Sequence, residues 1–317
     1  MLRTTASRAL GPLAAGVVLA FALPSHATGS GGGLAYFKNY FVSGDYVAAG
    51  VGLQRTGVNG FATGTITIDP SQIPAGADIV AAYLYWQTIS SSGAPDPSAL
   101  RGAKFKGNDI SQIAVLLDEG GTSPCWSNGG GTGESRGSRA TWSYRADVLR
   151  FFPRIRPATP DRPVQVQVTG AHTVRLPDMG RSNRTPSTLG AGLVVVYRVT
   201  GFDPASGYRT AKQPLRSIVL FDGGKTLDNR SSQIQVPLEG FFEASRVSPK
   251  AKLTLLVADG QSNKSERVQI RSTASPTDNQ VVAVNPFRSN TGFDVVTFNN
   301  VALEAGAMKA TVTIDAG

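Results

Sequence analysis

Apolar residues in this chain come in short β-branched runs separated by glycine, proline and aspartate, and almost never at helical spacing. The densest run, Leu193 to Tyr197, follows glycines at 190 and 192 and is too short for an independent helix. It reads as a strand covered on both faces. Ile218 to Phe221 repeats the pattern and stops at Asp222-Gly223-Gly224, a turn signal. Together these runs predict a long hairpin over Leu189–Gly224, on which the rest of the chain packs. Ile79–Ile89 is the strongest strand of the first half. Thr65–Ile68 and Val164–Val168 alternate as half-exposed strands do.

Further strands are predicted at Tyr36–Val42, Tyr46–Val51 and Ala114–Leu117. In the second half they fall at Ile234–Val236, Lys252–Val257, Val268–Ile270, Gln280–Val284, Phe293–Phe298 and Lys309–Asp315. In the last of these, Ala310, Val312 and Ile314 share a face. One short helix is expected over Ala146–Phe152, capped by Asp147 and ended by Pro153. Strand spacings of about 10 to 15 residues argue for sandwiches rather than βαβ units. The expected fold is all-β: two tandem β-sandwiches, jelly-roll-like, joined by the central hairpin, with very little helix. The sandwiches would cover residues 34–205 and 206–317, with the break near Thr200–Pro214.

The first 27 residues do not belong to that fold. Arg3 and Arg8 precede an apolar run, Leu10–Leu23, and Ser25-His26-Ala27 forms a small-x-small cleavage site. This predicts a secretory signal peptide over 1–27, followed by a flexible N-terminus over 28–33 and a secreted or cell-surface address. No other stretch approaches the roughly 20 apolar residues of a transmembrane segment. The strand that closes the chain is followed by only two residues, an abrupt end that leaves a missing C-terminal piece as an open alternative. A formal charge of +9 falls to +7 once the two leader arginines are removed.

Several blocks occur in a fixed order. They are Ala81-Ala82-Tyr83-Leu84-Tyr85-Trp86, Tyr144-Arg145-Ala146-Asp147-Val148, Gly192–Tyr197 with Leu215–Gly223, and Gly292–Phe298. This arrangement resembles an uncharacterised family of secreted bacterial and archaeal cell-surface proteins with A-x-L-Y-W, Y-x-A-D-V and L-V-V-V-Y…D-G blocks. The resemblance implies tandem β-sandwiches at a cell surface and carries no activity or site residue with it.

Candidate chemistry is sparse. Cys125 is the single cysteine, which rules out an internal disulfide. It is expected to be buried beside Trp126, with a free reactive thiol or an intermolecular bridge as the sharper alternatives. Without His26, His172 is the one histidine, so a two-histidine metal site within one chain is excluded and no metal is expected. No Gly-x-Ser-x-Gly elbow occurs, and Gly129–Gly133 lacks the Gly-Lys-Ser/Thr ending of a phosphate loop. No cofactor is expected. Asp259, Gln261, Asn263 and Glu266 offer oxygen ligands, but Lys264 interrupts them and the EF-hand order is absent, which favours a polar turn over calcium. Asp118, Glu119, Asp222 and Asp259 fall near strand ends, where paired carboxylates of a polysaccharide hydrolase would collect.

Charge alters this picture more. Between Arg136 and Arg198 lie eleven arginines, no lysine and three aspartates, a local +8 that exceeds the surplus of the exported chain. Guanidinium forks bind carboxylate, sulfate and phosphate in pairs of hydrogen bonds. The expected binding patch comprises Arg136, Arg139, Arg150, Arg154, Arg156, Arg181 and Arg184, with anionic surface polysaccharide or another envelope component as partner. Arg145 and Arg198 flank core strands and are expected to pair internally. Nucleic acid is a poor candidate for an exported chain without a binding motif. The expected function is a non-catalytic, exported binding, adhesive or structural protein; the alternative is a secreted polysaccharide hydrolase using two carboxylates.

Overall fold

A computed structural model of the protein describes residues 33–91, 95–122, 139–156, 164–180, 184–202, 209–211, 213–226, 233–242, 249–260, 265–272, 280–288 and 292–315. The leader, Cys125, Trp126, the glycine run 129–133, Arg136 and Arg181 lie outside the described residues. The strands of the first half are β1 (Leu34–Gly52), β2 (Phe61–Ile68), β3 (Asp78–Ser91), β4 (Lys104–Phe105), β5 (Asn108–Asp109), β6 (Val115–Thr122), β7 (Arg139–Asp147), β8 (Arg154–Ile155), β9 (Gln165–Val166), β10 (Gly170–Pro177) and β11 (Ser187–Arg198). Those of the second half are β12 (Thr200–Phe202), β13 (Arg209–Ala211), β14 (Leu215–Gly223), β15 (Gln233–Glu239), β16 (Lys250–Ala258), β17 (Arg267–Arg271), β18 (Gln280–Val284), β19 (Phe293–Ala302) and β20 (Lys309–Asp315). Among the described residues there is no α-helix, only three short 3-10 turns, and no helix is long and apolar enough to cross a membrane. The protein is all-β, and every strand pair is antiparallel.

A six-stranded sheet, in the order β14-β1-β11-β3-β7-β6, carries the rest. Alternation on β3 sends Ala82, Leu84 and Trp86 to one face and Ala81, Tyr83 and Tyr85 to the other. The first face packs on the sheet β2-β10-β4-β5 through Ile66, Ile68, Phe105 and Leu176, all fully buried. Each such side chain stabilises the fold by about 1.5–3 kcal/mol relative to exposure. β11 is buried at every position but its last, which suits a strand paired on both edges and covered on both faces.

The expected central hairpin does not form. β1 lies between β11 and β14, so the two runs are not neighbours. Residues 44–52 of β1 pair with β11, and residues 34–43 pair with β14. Gly44 is the pivot: a Cβ there would lie 2.0 Å from the Tyr197 carbonyl oxygen. Hydrogen bonding explains the outcome, because a long strand with partners on both edges satisfies more backbone groups than an isolated hairpin. The first half of β1 and β14 form an arm over the second face of the sheet. There Tyr40 and Tyr83 share a hydroxyl hydrogen bond of 2.7 Å, and Phe37 meets Tyr83 edge-on at 5.3 Å.

Beside the arm, the pair β16-β19 docks on a glycine-lined patch. Cβ atoms at Gly50, Gly190 and Gly192 would lie 2.5, 2.3 and 2.6 Å from Val295, Phe293 and Leu256. The opposite face of β16-β19 meets the sheet β15-β20-β17-β18 over Val268, Ile270, Val301 and Val312. Gly32 to Gly317 forms one compact unit, with β14 and β19 of the second half packed on β1 of the first.

The helix expected over Ala146–Phe152 is also corrected. Tyr144–Asp147 continue β7 opposite Tyr83–Trp86, and only Leu149–Phe151 coil into a single 3-10 turn. The N-cap of that turn is Val148, not Asp147; from the residue before it, Asp147 accepts from the Leu149 N–H at 3.1 Å. Ladder pairing and the burial of Ala146 and Val148 outweigh the helical pattern of so short a segment. Val164–Val168 keeps strand geometry only at Gln165–Val166.

Candidate binding cleft

The described arginines of the expected patch fall at the two ends of β7. Arg150, Arg154 and Arg156 are exposed beyond the end of β7, and the Arg150 guanidinium lies 4.9 Å over the Phe151 ring. Arg139 opens β7 opposite Ser91. Eight strand steps separate Arg139 from Asp147, about 27 Å at the antiparallel rise. Arg184 precedes β11 at the Arg139 end, where Ser187 pairs with Ile89. Contiguity of charge in the sequence is broken because β7 carries the chain across the whole sheet. Arg145 and Arg198 pair internally as expected: Arg145 with Asp222, and Arg198 with Asp78 at 2.6 Å.

A larger feature lies on the second face of the central sheet. A cleft of about 1830 Å³ is lined by β3, β7, the arm strand β14, β16 and the inner face of β15 and β20. Its polar floor is Tyr85, Gln87, Thr141 and Ser143. Strand alternation places them together, since Tyr85 pairs with Arg145 and Gln87 with Ser143 on adjacent strands. Gln87 Nε2 donates to Ser143 Oγ at 3.0 Å, and the hydroxyls of Thr141 and Thr226 lie 3.1 Å apart. The Arg145–Asp222 ion pair ties β7 to β14 at the edge of this floor, with the guanidinium 3.5 Å from the Phe37 ring centre.

Electrostatics keeps the floor neutral. Burial, then the Asp222 carboxylate, pushes the Tyr85 phenol above its ordinary value. Burial and the hydrogen bond to Tyr83 do the same for Tyr40. Both rings stay protonated donors at any physiological pH. The apolar lining comes from the half-buried Leu238, Leu255, Val257 and Ile314, backed by the buried Ile234, Val236 and Val312. At the β16 end, Asp45 binds Lys252 Nζ at 2.5 Å and Arg216 at 3.4 Å. Burial pushes the adjacent Tyr46 phenol up to about 12, partly offset by its hydrogen bond to Thr254.

Of the carboxylates named as hydrolase candidates, Asp222 and Asp259 both line the cleft. Asp222 is held by Arg145, and Asp259 accepts from Gln54 Nε2 at 3.1 Å. Asp118 and Glu119 sit on β6 opposite Ser143 and Trp142. Among the described residues no three His, Cys, Asp or Glu side chains gather as metal ligands. Gln261 and Asn263 lie outside the described residues. None of the four cleft-floor residues is among the candidate site residues of the sequence. The available signal was polar tips at every second position: Tyr83, Tyr85, Gln87.

His172 takes a structural place. It is buried on β10 between Phe105 and Phe152, with ring centres at 6.2 and 5.0 Å. Lys106 Nζ lies 3.5 Å from Nδ1, and the ammonium has no lone pair, so Nδ1 accepts. Nε2 therefore carries the proton and donates to the Val168 carbonyl at 2.7 Å. Burial, set against that hydrogen bond, leaves the imidazole pKa below its ordinary value. Asp178, fully buried, closes the turn before β11 by accepting from the backbone N–H of Gly180 at 2.6 Å and Thr188 at 2.8 Å.

Fold and cleft together define an all-β protein of several antiparallel sheets with a mixed polar and apolar cleft among the described residues. No protein-family model, curated protein or solved structure matches the chain.

Proposed function

We propose that the protein is an exported, non-catalytic binding protein of the cell surface whose ligand occupies the cleft. The carrying observation is the cleft itself. Its volume of about 1830 Å³ exceeds the roughly 300–1,000 Å³ of small-molecule pockets, which favours an extended or polymeric ligand. Neutral donors and acceptors on one wall and aliphatic side chains on the other suit selective binding without chemistry. The signal-like leader supports an extracytoplasmic address, and the sequence blocks support membership of the secreted surface family. Tandem sandwiches remain our reading of the two halves. The exposed Arg150, Arg154 and Arg156 favour a secondary contact with anionic surface polymer.

The test is equilibrium binding of the exported form to immobilised glycan and peptide arrays, beside the Tyr85→Ala/Gln87→Ala variant. The expected result is binding that this variant weakens at least tenfold, measured at a temperature where circular dichroism shows both proteins folded, because truncating the packed Tyr85 ring also lowers stability. Ligands bound equally well by the variant would refute the assignment to the cleft.

A further inference from the structure

The walls of the cleft differ in kind. β15 and β20 contribute alternate residues: Ile234, Val236 and Leu238 from one, Ala310, Val312 and Ile314 from the other. Alternate residues mean that these strands present a face. β14 and β16 contribute consecutive residues instead, Leu215 through Gly223 and Lys250 through Ala258 without a gap. Consecutive residues mean that these strands present an edge. Pairing agrees, since among the described strands β14 is bonded only to β1 and β16 only to β19. Burial agrees as well. A strand with one open face alternates between buried and exposed, whereas eight of the nine residues of β16 and seven of the nine of β14 are half-buried in near-unbroken runs.

We infer that the cleft takes an extended polypeptide strand from a partner, added to the open edge of β14 and facing the edge of β16. This rests on the reading of the cleft as the ligand site and names the class of ligand. Backbone N–H and C=O groups along an open edge are a template for another strand. Proteins guard such edges with lysine, proline or bulges, yet Leu215–Phe221 carries a single charge, Arg216, and no proline. The walls define the partner's chemistry. One side of the added strand would meet Leu238 and Ile314, the half-buried residues of that face, and must be apolar at every second residue. The other would meet Tyr85, Gln87 and Ser143 and must be polar. β14 spans nine residues, so the partner segment has about eight or nine, roughly 30 Å at the antiparallel rise. Glycan lacks the regular donor and acceptor ladder that an edge requires.

The experiment uses the exported form and an array of fluorescent ten-residue peptides with alternating Val/Ile and Thr/Ser/Gln, against scrambled peptides of equal composition. The expected result is saturable binding of alternating peptides. N-methylation of alternate backbone amides on the β14-facing edge should weaken it at least tenfold, and methylation on a register that leaves the ladder intact should be tolerated. A Ser217→Cys variant in a Cys125→Ser background should form a disulfide with a peptide cysteine at one register only. Equal binding of methylated and scrambled peptides would reduce the site to an apolar groove and overturn the strand assignment. Binding of oligosaccharide but no peptide, lost in Tyr85→Ala/Gln87→Ala, would overturn the strand and leave the cleft as ligand site. Absence of all binding would overturn both.

Discussion

The Arg145–Asp222 pair is the strongest single claim about how the cleft is held, and it is open to a double-mutant cycle. Its side chains are 11% and 12% exposed, and the pair joins β7 to β14, strands that are not neighbours in the central sheet. Replacing Asp222 by Leu strands a guanidinium that also lies 3.5 Å over Phe37. Removing one partner of a buried pair costs about 3–5 kcal/mol, because the remaining charge loses its compensation. Arg145→Met adds the loss of a cation–π contact, about 0.5–2 kcal/mol. Replacing both by apolar residues should recover most of the loss, since both desolvation penalties vanish together. The expected coupling is therefore at least 2 kcal/mol, with each single variant melting on the order of 10 °C lower. Urea unfolding followed by tryptophan fluorescence on all four proteins measures it. A coupling under about 0.5 kcal/mol, or single variants as stable as wild type, would refute a clamp between arm and sheet.

Acidification should weaken the fold through His172. Its pKa in the folded state lies below the ordinary 6.5, so its contribution is present above pH 6.5 and is lost as pH falls through the folded value. Denaturation at pH 7.5 and 5.5 should show a loss that is absent in His172→Gln, and an imidazole NMR midpoint above 6.5 would contradict it. Gly190→Val should destabilise by about 1–3 kcal/mol or more through overpacking, because its Cβ would lie 2.3 Å from that of Phe293. An unchanged melting curve would show that β16-β19 does not dock on that patch. Arg150→Gln/Arg154→Gln/Arg156→Gln should leave stability within about 0.5 kcal/mol while reducing retention on heparin at low salt. Equal retention would leave those arginines as a solvated surface.

The strands themselves were legible because their signal is local. Leu193–Tyr197 is an unbroken apolar, β-branched run bounded by glycine, and Lys309–Asp315 alternates with period two and ends on an acid. The internal pairing of Arg145 and Arg198 was legible too, since both flank core strands. Three things were decided by tertiary structure. Pairing of β1 with β11 and β14 joins Gly44 to Arg198 and Tyr36 to Phe221, and no local pattern records which distant edge a strand will choose. Competition for that edge turned an expected hairpin into an arm, and ladder bonds drew Ala146 and Asp147 from an expected helix into β7. Last, the sequence shows charge by position along the chain, which linked Arg139 to Arg150. A strand translates the chain by about 3.3 Å per residue, so arginines close in sequence part to opposite ends of a sheet, while Tyr85, Ser143 and Asp222 meet at the cleft.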